Sequence, residues 1–116
     1  YVTIGADDVE VTTRDEVDRL LLEEERDPGQ IMVLTFTSSL RDRLATAVEL
    51  VRWEDRETGV LGENVHRVKG LEADTVVLVT DTDDITDDLL YVGISRAVSE
   101  LVIIGPAALG TRLGLR

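Results

Sequence analysis

The stretch Thr75-Val76-Val77-Leu78-Val79 limits what this chain can become more than any other. An apolar, β-branched run of that length, bounded by turn-prone residues, reads as a strand buried on both faces of a parallel sheet. The segment before it, Val65-His66-Arg67-Val68-Lys69-Gly70-Leu71-Glu72-Ala73-Asp74, is polar and crowded with charge. Packing beside a core strand does not explain those groups. Gly70 lets the backbone approach a ligand closely or adopt a positive φ. Lys69 and Glu72, on either side of it, offer a cation and an acceptor. A solvated loop that happens to be charged is the alternative reading of this segment taken alone.

The remaining pattern supplies partners for that strand. Val9-Glu10-Val11-Thr12 alternates apolar and polar, which predicts a short strand. Thr13 with Glu16 three residues later has the form of a capping box, so a helix carrying Val17, Leu20 and Leu21 is expected after it. Asp27-Pro28-Gly29 should stop that helix. Ile31-Met32-Val33-Leu34-Thr35-Phe36 is the clearest strand of the first half. Ser38 can cap a helix whose apolar positions are Leu40, Leu44, Ala47, Val48 and Val51. Residues 54–62 read as a surface connection, with Trp53 before them as a lid on the core and not a platform for stacking bases. Thr86 should cap a helix reaching about Ala97, with Leu90, Ile94 and Ala97 inward. Leu101-Val102-Ile103-Ile104 is a last buried strand, ended by Gly105-Pro106. Strands alternating with helices predict an α/β fold: a mostly parallel sheet with helices on both faces.

Composition narrows the function. At 116 residues, 43% hydrophobic and 31% charged, the sequence suits one folded domain spanning 1–116. It begins at Tyr1 without an initiating Met, which predicts an excised piece of a longer protein over a processed product. No apolar run approaches the roughly 20 residues of a membrane span. With no cysteine and a single histidine, thiolate zinc and His-rich metal sites are excluded. The net charge of −12 argues against a general nucleic-acid binder. The charge is uneven, however. Acids dominate residues 7–27 and 81–88, while Arg41, Arg43, Arg52, Arg56, Arg67 and Lys69 lie between them. A local phosphate-binding face on an acidic body is therefore feasible.

Ligands of open α/β sheets lie at the carboxyl ends of strands. Thr35–Ser39, Asp81–Asp84 and the loop before Thr75 are the candidates. Asp81-Thr82-Asp83-Asp84 resembles the Asp-x-Asp signature of phosphatases that form aspartyl-phosphates on magnesium, and such carboxylates could also hold Mg²⁺ alone. Acids ahead of a helix equally serve its N-terminus, as Asp87 and Asp88 would. In Leu89-Leu90-Tyr91-Val92-Gly93-Ile94-Ser95-Arg96-Ala97 the glycine is out of place, because Gly inside a helix costs about 1 kcal/mol relative to Ala. Gly93 reads as clearing space beside Arg96. The competing reading pairs Arg96 with Glu100 on a solvated helix face.

Taken together, His66-Arg67-Val68-Lys69-Gly70-Leu71-Glu72, the strand, and Leu90-Tyr91-Val92-Gly93-Ile94-Ser95-Arg96-Ala97 resemble the last two motifs of superfamily 1 helicases. The closer likeness is to the C-terminal RecA-like domain of UvrD/Rep/PcrA-type enzymes. It is dense from about Asn64 to Gly105, looser over Ile31–Val51 and weak before residue 30. The resemblance implies a RecA-like, three-layer fold and a motor domain of an ATP-dependent DNA helicase or translocase, a cytoplasmic enzyme of DNA repair. It implies that Arg96 reaches the γ-phosphate of ATP, that Glu72 contacts the ribose, and that the backbone at Gly70, beside Lys69, approaches the phosphates. It places His66, Thr37 and Ser38 toward single-stranded DNA.

The phosphate loop and the acidic magnesium motif of such enzymes are absent here. The resemblance assigns them, with most contacts to ATP and Mg²⁺, to an N-terminal RecA-like domain of the same protein. This piece alone is then expected to be inactive. The family's Asn-Tyr-Arg segment is not recognisable. About a dozen residues separate the middle helix from the central loop, too few for the large inserted subdomain, so a compact variant is implied. A non-catalytic acidic interaction module with a degenerate RecA-like fold is the alternative.

Overall fold

The central strands of the sheet follow from short apolar runs buried on both faces. The computed structural model describes residues 2–68 and 71–112, the latter to Thr111 for side chains. Ile31–Thr35 (β2) and Ala73–Val79 (β4) are the central pair, and all five residues of β2 and the last five of β4 are buried. Ala97–Gly105 (β5) lies on the other side of β4, Val2–Gly5 (β1) outside β5, and Leu61–Asn64 (β3) outside β2. The order is β1-β5-β4-β2-β3 and every neighbouring pair is parallel. Parallel pairs need crossovers, and these carry the helices.

Val9–Asp18 (α1) and Ser38–Val48 (α2) cover one face, where Val9, Val17, Leu20, Leu40 and Leu44 pack on Val33, Val77, Val79, Val102 and Ile104. Asp87–Ile94 (α3), Ala107–Arg112 (α4) and the single turn Val65–Arg67 cover the other. There Val65, Val68, Leu90 and Leu109 meet Met32, Leu34, Val76, Leu78, Leu101 and Ile103. Alternate residues of the central strands thus serve opposite layers, which gives the expected three-layer α/β architecture. No helix among the described residues is long and apolar enough to cross a membrane.

Six local expectations are corrected. Val9–Thr12 is the first turn of α1 and not a strand. Asp8 caps it by accepting from the backbone N–H groups of Glu10 and Val11, so the helix starts before Thr13 and the capping box is not used. Buried Val9, Thr13, Glu16, Val17 and Leu20 keep helical spacing. A π-helical turn, Arg19–Glu23, ends this segment. The cap of α2 is Thr37, whose hydroxyl accepts from Leu40 N–H, while Ser38 is the first helical residue. Glu49, in the left-handed region at φ 59°, closes α2, so Val51 is not helical. Val51 instead exchanges backbone hydrogen bonds with Val60 and Gly62, just outside β3. The surface connection therefore ends at Val60, and Leu61–Asn64 is a strand. Finally, α3 stops at Ile94, because Ser95 and Arg96 form a turn into β5.

Candidate functional site

The residues singled out by the sequence fall at opposite ends of the sheet. Arg96 and Glu72 precede β5 and β4, at the amino ends of the strands, and Thr37, Ser38 and His66 follow β2 and β3 at the carboxyl ends. The loop before Thr75 is therefore not at a carboxyl end. Val65–Arg67, continuing through Val68 and Leu71, runs across the α3 face and connects the two ends. Lys69 and Gly70 lie outside the described residues.

Arg96 is half-buried in a cradle of oxygen acceptors. Its Nε donates to Val92 O at 3.2 Å, one terminal nitrogen to Ser95 Oγ at 3.0 Å, and the other to Leu71 O at 3.4 Å. Ser95 Oγ in turn donates to Val92 O at 3.0 Å. The backbone continues the link, since Ala73 N–H donates to Arg96 O. No carboxylate pairs with this guanidinium among the described residues. The expected alternative partner, Glu100, is bound instead to Arg26 at 2.7 Å. An arginine held only by neutral acceptors keeps an uncompensated charge, and its planar fork suits a phosphate. Glu72, the residue before β4, is exposed.

Gly93 has a different reason from the expected one. A Cβ there would lie 2.9 Å from Leu78 Cδ1, so the missing side chain admits α3 onto β4 and does not open space beside Arg96.

At the carboxyl end, Asn64 joins what the sequence singled out separately. Its carboxamide oxygen accepts from His66 N–H at 2.9 Å, and its nitrogen donates to Ser38 Oγ at 3.3 Å. Ser38 and the His66 turn are thereby brought together, with the His66 imidazole exposed. Thr37 is tied by its capping bond, and its carbonyl accepts from Thr35 Oγ1 at 2.7 Å. Sequence reasoning missed Asn64, because its role depends on α2 and β3 being neighbours. The only signal was an Asn ahead of a turn, which favours such side-chain acceptance.

The cations read as a phosphate face divide. Arg43 is held by Glu10 at 2.7 Å and by Asp81 at 3.1 Å, and those hydrogen bonds, Glu10's first, raise its pKa above the usual arginine value. Arg41 donates to Gly62 O and to Asp42. Arg52 and Arg67 remain exposed and without an ion pair among the described residues. Asp81 is thus committed to Arg43, and no three Asp, Glu or His side chains converge as metal ligands among the described residues. Trp53 is 41% exposed, with the Arg56 guanidinium 3.9 Å from its ring centre, so it is not a lid on the core.

Residues 62–104 match the family model of the UvrD-like helicase C-terminal domain. That stretch contains both motifs from which the helicase resemblance was drawn, and the resemblance is borne out there. The chain is also similar to the crystal structure of the C-terminal domain of a possible DNA helicase from Lactobacillus plantarum WCFS1. The two are 23% identical over 90% of this chain and 71% of that one, with a TM-score of 0.69, a likeness of fold. No curated protein matches.

Proposed function

We propose that this chain is the C-terminal motor domain of an ATP-dependent DNA helicase or translocase, supplying an arginine finger to a nucleotide cleft shared with an N-terminal RecA-like domain. The observation that carries the proposal is Arg96: a half-buried guanidinium pinned by Val92 O, Ser95 Oγ and Leu71 O, with no carboxylate partner among the described residues. Family resemblance over residues 62–104 supports placing it at the cleft.

On closure, Arg96 would exchange its longest contact, to Leu71 O, for oxygens of the γ-phosphate and neutralise charge that builds during transfer. Glu72 would accept a ribose hydroxyl, and the backbone at Gly70 with Lys69 would face the phosphates. Mg²⁺ would rest mainly on the other domain. It would neutralise phosphate charge there, and the residues of this chain bind and orient. At the far end of the sheet Thr37, Ser38 and His66 would meet the single strand, without reading sequence. Because the arginine comes from across the cleft, hydrolysis would require closure, which couples turnover to movement along DNA in a cytoplasmic repair enzyme.

The test is DNA-stimulated phosphate release by the protein carrying both domains. Arg96→Ala should lower turnover by about 10³–10⁵, the value of a trans-acting arginine. ATP binding and the melting temperature should change little. Arg96→Lys should not rescue, since a point charge lacks the planar fork. Near-normal turnover in Arg96→Ala would end the proposal and leave the acidic interaction module.

A further inference from the structure

The connection between α2 and β3 builds a cleft whose Arg52 and Trp53 lie outside the helicase motifs. Val51 runs parallel to β3 on its outer edge, so Arg52 and Trp53 follow it toward the carboxyl ends of the strands. There they close a cavity of about 270 Å³ with Ser38 and Arg41 of α2, Glu63 of β3, and Arg67 of the turn after it. Trp53 begins a tight turn, Trp53–Asp55, and Arg56 stacks on its ring at 3.9 Å while donating to Trp53 O at 2.9 Å. The indole is therefore fixed at the cleft by its own turn, yet remains 41% exposed.

The Arg56 guanidinium covers one face of the indole, and the residue is otherwise open to the cleft and to solvent. The charges around it are specific. In a chain with 24 acids and 12 bases, Arg52 and Arg67 face one cleft with no carboxylate paired to either among the described residues. The acids lining the same cleft are partly occupied: Glu63 accepts from Asn64 N–H, and Asp42 from Arg41. A π-surface flanked by free guanidinium groups matches a nucleobase flanked by phosphates, because any base stacks on an aromatic ring and each phosphate accepts from arginine. An acidic peptide would use the arginines but leave the indole unexplained.

We infer that Trp53, with Arg52 and Arg67, forms a subsite for one unstacked nucleotide of a single strand, beside Ser38 and the His66 turn. This rests on the proposed function for the identity of the strand, and it extends the contact from hydroxyl and imidazole groups to base stacking. Asp42, Glu54 and Glu63 keep the subsite weak for bare polyanions. Affinity here comes from ring and cations together.

Trp53 is the single tryptophan of the chain, so its fluorescence reports this cleft directly. Oligothymidylate added to the 116-residue chain at low salt should quench it saturably. An abasic strand of equal length and polyglutamate should not. With labelled oligothymidylate, Trp53→Ala should weaken binding about 5-fold or more, from the loss of a stack worth ~1–3 kcal/mol. Arg67→Ala should weaken it less and lower the salt dependence by about one phosphate contact. Thermal melts should show both variants folded, since both residues are exposed. Absence of quenching by oligothymidylate, equal quenching by polyglutamate, or unchanged affinity in Trp53→Ala would each overturn the subsite. Failure of the motor reading is separate. It would appear as turnover surviving Arg96→Ala, with Trp53-dependent strand binding intact.

Discussion

Leu78 on β4 occupies the space that a side chain at Gly93 on α3 would need, with Cδ1 and Cδ2 2.9 and 3.1 Å from the position of a Cβ. The helix lies this close to the central strand because one residue lacks a side chain. Gly62 on β3 shows the same device more severely, since a Cβ there would lie 2.7 Å from Leu50 Cβ. The two differ in what can move. Leu78 Cδ atoms swing about χ torsions, whereas Leu50 Cβ is fixed to its backbone.

Gly62→Ala should therefore destabilise more than Gly93→Ala. Overpacking costs ~1–3 kcal/mol, and at Gly93 about 1 kcal/mol of gained helix propensity offsets part of it. A net loss of about 1 kcal/mol is expected for Gly93→Ala, or about 4 °C in a melt. Adding Leu78→Val should make the double variant lose less than the two single losses summed. Strict additivity would mean that Leu78 is not what excludes the side chain.

Why some of this was legible before the structure, and some was not, follows from burial. β2 and β4 have nearly every side chain buried, so their apolar runs announce them. β3 is an edge strand reading Leu-Gly-Glu-Asn, with a glycine and two polar residues, and no periodicity marks it. β1, four residues at the other edge, is equally faint. Val9–Thr12 misled because two apolar residues alternate with polar ones, while the helical spacing appears only when Thr13 and Glu16 are known to be buried. Arg96 was singled out by its motif, but its cradle was not, because Leu71 is 25 residues away. Glu100 was given to Arg96 on sequence distance, whereas its partner Arg26 is 74 residues away.

Asn64 is the joint between Ser38 and the His66 turn, so its loss should act on both stability and strand binding. Asn64→Ala removes two mostly buried hydrogen bonds, each worth ~0.5–1.5 kcal/mol. Asn64→Asp keeps the acceptor for His66 N–H but loses the donor to Ser38 Oγ. The aspartate variant should melt closer to wild type, yet bind single-stranded DNA as poorly as the alanine variant. Equal binding by all three proteins would separate Asn64 from the strand site.

Ser95 positions Arg96 without reaching a ligand itself, by accepting from its guanidinium and donating to Val92 O. In the two-domain protein, Ser95→Ala should lower kcat about 10-fold with little change in KM for ATP, as expected when a transition-state contact is loosened. Ser95→Thr, which keeps the hydroxyl, should recover most of the rate. A kcat unchanged in Ser95→Ala, alongside an inactive Arg96→Ala, would show that the carbonyl oxygens suffice.

Arg26, in the loop after the π-helical turn, reaches Glu100 at 2.7 Å and Thr75 Oγ1 at 3.1 Å, tying that loop to β5 and β4. Both side chains are about a third exposed, so solvent screens the pair. A double-mutant cycle with Arg26→Ala and Glu100→Ala should give a coupling of ~0.2–1 kcal/mol, smaller in high salt. Strand-stimulated turnover should not change in Glu100→Ala. A fall in turnover would restore a link between Glu100 and Arg96.

Thr13 gives the clearest test of the α1 packing. Its side chain is fully buried, and its Oγ1 has no hydrogen-bond partner among the described residues. A buried polar atom left unpaired costs ~1–3 kcal/mol, and replacing it with an apolar group of the same shape removes that cost. Valine is that replacement, with a methyl where the hydroxyl was. Its β-branching is shared with threonine, so helix propensity is nearly unchanged. Thr13→Val should therefore raise stability by about 1 kcal/mol. Thr13→Ser keeps the orphaned hydroxyl and deletes the packed methyl, so it should lower stability by about 1 kcal/mol. Urea unfolding of the three proteins measures both changes, with equal m-values expected because the exposed surface is the same. A loss of stability in Thr13→Val would mean that the hydroxyl has a partner in solution, and the packing of α1 against the sheet would need to admit a water there.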